Sequence, residues 1–216
     1  MNHGGSRLAG LVLVAMLGLL QAGCATMSQG DCMTGDWGGV GYQDGVAGHP
    51  PSRLSDHVQA CSAYGVLPDR ERYFAARERG LDVYCTPYQG FEAGRLGRKY
   101  HGVCPPMLAE GFLVGYDNGL RVHAATEHHD DLRSEVRELD RRIDDTEDDL
   151  DDIHDRLDDD GLSAEARKSL QRNREHLRED LHRMRRQRDQ AVHRERAAAD
   201  HAANLRHMLS QQYRQW

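Results

Sequence analysis

The sequence predicts an all-α protein in two parts: a small, glycine-rich helical domain stapled by disulfides, then a long antiparallel helical hairpin. Every cysteine and proline lies before Ala125, and Gly161 is the only glycine after it. From Leu132 onward, apolar residues recur at alternating steps of four and three, which is the pattern of a coiled coil. Charged residues make up 29% of the chain and aromatic residues 6%. We therefore expect a small core joined to an elongated element.

The first 23 residues have the pattern of a bacterial signal peptide. Arg7 precedes an uncharged run from Leu8 to Leu20, which is shorter than the roughly 20 apolar residues of a membrane-spanning helix. Small residues then precede Cys24, as in the lipobox of proteins that receive a lipid on this cysteine. Gln21 stands where the box usually has an aliphatic residue. An ordinary signal peptide, with Cys24 as a plain thiol, is therefore the alternative.

These features divide the chain into a signal peptide (1–23), a lipid anchor and tether (24–35), a glycine-rich disulfide-bonded domain (36–124) and a charged helical hairpin (125–216). Cys24 is the predicted site of lipid attachment. The residue after it is alanine, not the aspartate that commonly retains lipoproteins in the inner membrane. We therefore expect the protein to be anchored in the outer membrane, facing the periplasm.

The remaining four cysteines are expected to form two disulfides, because the predicted compartment is oxidising. Three pairings are possible, and proximity in the sequence favours Cys32 with Cys61 and Cys85 with Cys104. A zinc site is the alternative, but no Cys-x-x-Cys pair occurs.

A glycine motif recurs in the compact part of the chain. The pattern Gly-aromatic-x-x-Gly occurs at 41–45, 90–94 and 111–115, and 72–76 followed by Gly80 is a degenerate copy. Small residues four apart share one helix face, although each glycine costs a helix about 1 kcal/mol relative to alanine. We therefore expect four or five short helices that pack closely at these residues. Glycines placed in turns, or transmembrane helix pairs, are the alternatives, and charged residues in these segments disfavour the second.

The hairpin is predicted from its apolar seam and its charge. Residues 127–160 hold 17 acidic and 5 basic residues, whereas 161–216 hold 7 and 13, so two antiparallel arms would attract each other. Gly161 is expected to end the first helix in the left-handed conformation, and Ser163 to cap the second. A single charged helix or a partly disordered tail is the alternative. The first seam consists of Leu132, Val136, Leu139, Ile143, Thr146, Leu150, Ile153 and Leu157.

The seam of the second arm is weaker. Arg174, Arg188 and Glu195 interrupt it. A register with Leu157 opposite Leu170 also brings two pairs of arginines together: Arg141 and Arg142 near Arg185 and Arg186.

No motif predicts catalysis, a cofactor or a metal. The segment from Asp155 to Arg167, aligned on Gly161, fails the calcium-loop pattern because arginines stand at the first and twelfth positions of that pattern. His128 and His129 lack the four-residue spacing usual for helical metal ligands. We therefore expect no enzyme activity; an enzyme would need a pocket lined by Asp36, Asp44, His57 or their neighbours.

Short motifs follow one another between residues 24 and 122. They are Cys24-Ala-Thr-Met-Ser, Asp36-Trp37, Gly41-Tyr-x-Asp-Gly45, His57, Cys61, Tyr84-Cys85-Thr-Pro, Gly90-Phe-x-x-Gly94 and Tyr100-x-x-Val-Cys104-Pro. Their order and spacing resemble a family of Gram-negative lipoproteins catalogued as domain of unknown function 2799. The resemblance implies a lipoprotein and assigns no activity; the helical part that follows lies outside it.

The expected function is that of a non-enzymatic, structural or scaffolding lipoprotein of the cell envelope. Its coiled coil would bind another envelope protein or a second copy of the chain, and no nucleic acid. The alternative is a periplasmic binding or sensing module whose glycine-rich domain holds a small ligand or a cell-wall fragment.

Overall fold

The computed structural model describes residues 27–213, and every regular element in this range is an α-helix. The all-α prediction is therefore confirmed. The predicted signal peptide and Cys24 lie outside the described residues. No helix within the described range is long and apolar enough to cross a membrane. The helices are α1 (Gln29–Thr34), α2 (Trp37–Val46), α3 (Arg53–Ser62), α4 (Arg70–Tyr84), α5 (Pro87–Arg95), α6 (Pro106–Leu157) and α7 (Ala164–Tyr213).

Contacts divide the described chain into two compact units. The first holds residues 27–85 and 100–105, and the second holds 86–99 and 106–213. The sequence analysis placed the domain boundary between residues 124 and 125. The observed division differs because α6 begins at Pro106 and continues without a break into the hairpin.

The first unit is built from α1 to α4 and held by two disulfides. Cys32 bonds to Cys61, which ties α1 to α3, and Cys85 bonds to Cys104. The pairing favoured by sequence proximity is thus the pairing found. The segment expected to be a tether contains α1, which starts with a capping box at Ser28. The buried core of this unit consists of Met27, Cys32, Trp37, Leu54, Cys61 and Tyr73.

Helices α2 and α4 pack backbone against backbone at glycines. A Cβ on Gly41 would overlap the Tyr73 carbonyl oxygen, and one on Gly45 would overlap that of Arg77. From the other side, a Cβ on Gly80 would lie 2.8 Å from the Val46 nitrogen. These glycines lie within helices, as the close-packing interpretation predicted, and not in turns.

Helices α5 and α6 of the second unit pack in the same way. Gly90 and Gly94 on α5 face the α6 backbone, and Gly115 and Gly119 on α6 face the α5 backbone. The sequence repeat had pointed to Gly111 with Gly115. The structure instead uses the pair one turn later, and Gly111 lies beside the Pro87 ring at the start of α5.

The two helix pairs are copies of one arrangement, each within its own unit. The first helices match with an offset of 49 residues and the second helices with an offset of 39. A left-handed glycine follows α2 at Gly48 (φ 69°) and α5 at Gly97 (φ 63°). Each of these glycines faces a ring from the second helix of its pair. The matching positions are Gly41 and Gly90, Gly45 and Gly94, Tyr73 and Phe112, Arg77 and Tyr116, Gly80 and Gly119, and Tyr84 and His123.

The hairpin follows the predicted seam. Ile153, Leu157 and Leu170 form one buried cluster next to the turn, and Ile143, Leu181 and Met184 form another. At the far end, Phe91 of α5 stacks on Tyr213 with ring centroids 4.7 Å apart. The second unit is therefore a three-helix bundle at one end and a two-helix coiled coil at the other.

Charged residues that seemed to oppose this register are paired across the arms. Arg185 donates to the Glu147 carboxylate at 2.5 Å, and the Arg188 guanidinium lies 3.4 Å from Asp140. Of the arginines expected to crowd one another, Arg185 thus has an acidic partner on the opposite helix, whereas Arg141 pairs with Glu138 on its own helix.

The turn is built differently from the expectation. Gly161 does not have positive φ, so its predicted left-handed conformation is wrong. Its amide donates to Asp159 Oδ1 at 2.9 Å, which makes a tight turn without left-handed backbone. Ser163 caps α7 through the Ala166 amide, as predicted. Arg167 donates to the carbonyl oxygens of Leu157 and Asp159 at 2.5 and 3.1 Å and so caps the end of α6.

Candidate functional site

Three helices of the first unit bring together a carboxylate, an imidazole and a phenol. The Oδ2 atom of Asp44 on α2 lies 2.7 Å from His57 Nε2 on α3 and accepts a hydrogen bond of 2.6 Å from the Tyr73 hydroxyl on α4. Asp44 is 8% exposed, His57 2% and Tyr73 0%. This is a buried polar cluster with its hydrogen bonds formed, as burial of such groups requires.

Close helix packing and a disulfide explain why the three groups meet. The glycines on either side of Asp44 on α2 let α4 approach closely, and this brings Tyr73 within reach. His57 lies one helical turn before Cys61, whose disulfide to Cys32 ties α3 to α1. The cluster is therefore positioned by backbone packing and a covalent bond.

The cluster changes the acidity of its members. Burial raises the pKa of Asp44, but hydrogen bonds from His57 and Tyr73 and the nearby imidazoles outweigh it, so the pKa is lowered overall. Burial and the hydrogen bond to Asp44 raise the pKa of the Tyr73 hydroxyl. At neutral pH the cluster thus holds an ionised carboxylate and a neutral phenol.

An open groove of about 570 Å³ lies over this cluster on the first unit. The sequence had named Asp36, Asp44 and His57 as the residues a pocket would need, and all three line this groove. Asp69, a further acid of this unit, does not line the groove; its carboxylate accepts a hydrogen bond from the Arg72 amide and caps α4. The groove is lined by Met27, Asp31, Thr34, Asp36, Gly39, Val40, Tyr42, Gln43, Asp44, Arg53 and His57.

Sequence reasoning missed Tyr73, which it noted only as part of the degenerate copy of the glycine motif at 72–76. A usable signal was its alignment with Phe112 in the second copy, because only the tyrosine carries a hydroxyl that needs a partner when buried.

The geometry suits binding better than proton transfer. Tyr73 is fully buried and the His57 side chain is 3% exposed, so neither offers a surface to a substrate. Asp44 lines the groove, and its Oδ1 accepts no hydrogen bond from the described residues. This oxygen can accept a hydrogen bond from a ligand or hold a positive charge.

One histidine of the pair that resembled a metal cluster contacts the opposite arm of the hairpin. His129 Nε2 lies 2.8 Å from Glu195 Oε1 across the hairpin. Glu195, one of the charged residues that interrupt the second seam, therefore has a polar partner. Among residues 27–213, no group of three or more potential metal ligands is gathered at one place.

Comparison with known proteins gives one match. Residues 36–121 match the family described as "Protein of unknown function (DUF2799)". No curated protein and no solved structure matches the chain. The matched segment contains the polar cluster and both glycine-packed helix pairs, and ends within α6. The resemblance seen in the ordered motifs is thereby confirmed over residues 36–121, because the family that these motifs resemble is the one whose model matches there.

Proposed function

We propose that this protein is a non-enzymatic lipoprotein of the cell envelope whose helical hairpin acts as a scaffold. The lipid on Cys24 anchors it in the outer membrane, facing the periplasm. The observation that carries the proposal is that the hairpin buries its apolar seam within itself. A helix of 50 residues such as α7 extends about 75 Å at 1.5 Å per residue, so the hairpin is an extended arm.

The outer surface of this arm determines what it binds. Because the seam is occupied by the two arms, contact with a partner falls on the charged outer face. Acidic side chains dominate the part of α6 next to the turn, which favours a partner with a basic surface, since charge complementarity selects partners. These exposed acids are Asp144, Asp145, Asp148, Asp149, Asp151, Asp152 and Asp155.

In-cell photocrosslinking tests the scaffold. A photoreactive residue at Asp148 should give a discrete protein adduct, identified by mass spectrometry, and exchange of Asp151, Asp152 and Asp155 for asparagine should reduce it. The same probe at Asp82, an exposed acid on α4, is the matched control and should not give that adduct. Absence of any adduct from positions along the hairpin would contradict the scaffold.

A second candidate function is small-ligand binding by the first unit, and the groove over Asp44 favours it. A ligand that binds only the folded protein raises its midpoint of thermal unfolding. Cell-wall fragments should therefore raise the midpoint of the mature protein, and less so when Asp44 is replaced. If no fragment changes the midpoint, cell-wall fragments are excluded as the ligand.

A further inference from the structure

We propose that the groove over Asp44 binds a small polar molecule through a protonated amine, which the Asp44 carboxylate receives. The inference rests on the second candidate function and names its ligand class and its principal binding residue.

The duplicated helix pair supplies the first argument. At the positions of Asp44 and Tyr73, the second copy has Ala93 and Phe112, which are 6% and 0% exposed. Both copies place glycines against the opposite backbone at matching positions. Close packing of this pair therefore does not need the polar residues. Burying a carboxylate and a hydroxyl is costly even when they are paired, so the polar cluster in the first copy has a purpose other than packing.

The two oxygens of Asp44 supply the second argument. Oδ2 engages both His57 and Tyr73, which fixes the carboxylate and leaves Oδ1 for a ligand. A carboxylate held in this way is preorganised, so little side-chain entropy is lost on binding. His57 and Tyr73 are positioning residues in this arrangement, because they contact Asp44 and not the ligand.

Charge identifies the ligand class. The groove is lined by three carboxylates, those of Asp31, Asp36 and Asp44, against one guanidinium and one imidazole, those of Arg53 and His57. This balance repels an anion and attracts a cation. The Tyr42 ring, which also lines the groove, can add a cation–π contact. An organic amine fits better than a metal ion, because the described residues gather no group of three ligands.

Two sugars that differ only at the amine test the proposal. The mature protein, isotope-labelled for NMR, is titrated with glucosamine and, as the uncharged control, N-acetylglucosamine. Glucosamine should shift the amide signals of Gly39, Val40 and Gln43, and N-acetylglucosamine should shift them at least tenfold less at equal concentration. Equal shifts would overturn the amine assignment while leaving small-ligand binding intact. No shift from either sugar would overturn the proposed site.

Variants separate binding from folding. Asp44→Asn should weaken glucosamine binding at least tenfold, whereas Asp82→Asn, the same change at an exposed acid outside the groove, should leave it unchanged. The double variant Asp44→Ala with Tyr73→Phe installs the residues of the second copy. It should remain folded by circular dichroism and lose binding. An unfolded double variant would show that the cluster is structural and would overturn the argument from duplication.

Discussion

Single glycines decide how closely the helices of this protein pack. On Gly45 a Cβ would lie within about 3 Å of three backbone atoms of α4, two of Arg77 and one of Gly80, and backbone cannot move aside as a side chain can. Among the described residues, only the Ser28 hydroxyl lies near Gly30 on α1, at 3.7 Å from a Cβ placed there. Glycine is therefore required for close packing at position 45, whereas at position 30 it only lowers helix stability.

Gly45→Ala should destabilise the protein by about 1–3 kcal/mol, because the added methyl group forces α2 and α4 apart. Gly30→Ala is the matched control and should be neutral or stabilising by up to about 1 kcal/mol, because alanine favours a helix over glycine. Urea unfolding followed by circular dichroism measures both. Equal effects of the two substitutions would show that the close approach does not limit packing.

The pKa of Asp44 predicts a pH dependence of stability. Because this pKa is lowered in the folded protein from 3.8, the unfolded state binds a proton more readily than the folded state. The stabilisation is therefore present above about pH 4 and is lost as the pH falls through the folded-state pKa. Asp44→Asn should lower stability at neutral pH and flatten this loss. Urea midpoints between pH 2 and pH 7 measure it, and an unchanged slope in the variant would contradict the assignment.

At the scale of elements, the hairpin combines an apolar seam with charges paired across its arms. The seam stabilises the hairpin because it removes apolar surface from water. Pairs such as Arg194 with Glu135, at 2.8 Å, are exposed and contribute little each. They favour one register, since a shifted register separates them.

Ile143→Asp should destabilise the hairpin by at least about 3 kcal/mol, because it removes a buried side chain and places a charge in the seam. Asp148→Ala, on the exposed face of the same helix, should change stability by less than about 0.5 kcal/mol. Thermal unfolding of the intact chain compares them. A fragment covering 127–216 should remain helical near the turn but fray at its other end, because it lacks Phe91, on which Tyr213 stacks. A fully random-coil fragment would contradict this account of the hairpin.

The end of α6 depends on Arg167. Three aspartates at 158–160 oppose the helix dipole there, and the Arg167 guanidinium compensates by donating to the Leu157 and Asp159 carbonyl oxygens. Arg167→Ala should increase amide hydrogen exchange in residues 153–163 several-fold. Lys168→Ala removes the same charge from an exposed neighbour and should have little effect. Similar exchange in the two variants would mean that charge alone, and not the cap, holds the turn.

At the scale of the whole molecule, one helix-pair design occurs twice with different side chains. The copy in the first unit has a polar cluster under a groove, whereas the copy in the second unit is apolar and packs on the end of the hairpin through Phe91. The first pair thus carries the candidate site, and the second pair packs on the end of the hairpin. In the proposed function, the lipid anchor at Cys24 holds both helix pairs at the membrane.

Cys24→Ser should abolish lipid attachment and leave precursor or soluble protein, because serine lacks the thiol that receives the diacylglycerol. Radiolabelled palmitate and membrane fractionation measure this. Wild-type protein should carry the label and sediment with outer membranes. Wild-type protein without label would contradict the anchor, and labelled protein in the inner membrane would contradict the localisation alone.

The sequence by itself determined the features that depend on local pattern. The seam from Leu132 to Leu157 is visible because an exposed helix repeats its buried face at a fixed spacing. The glycine pairs on α2 and α5 were visible for the same reason, and proximity was enough to favour the disulfide Cys85–Cys104, whose partners are 19 residues apart. The prediction of a left-handed turn at Gly161 was wrong because the Asp159 side chain accepts the Gly161 amide hydrogen bond and closes the turn without left-handed backbone.

Only the tertiary structure decided which distant residues meet. Asp44, His57 and Tyr73 come from three helices, and no spacing along the chain shows that their polar atoms converge on one oxygen. Likewise, that Gly119 and not Gly111 faces α5 depends on how two helices align, which a motif on one helix does not specify. Packing between distant elements depends on the complementary shapes of their surfaces. The periodicity of a single element shows only which of its faces is buried, not what that face packs against. That is why the sequence revealed the arm and the helices, whereas the candidate site appeared only when they packed.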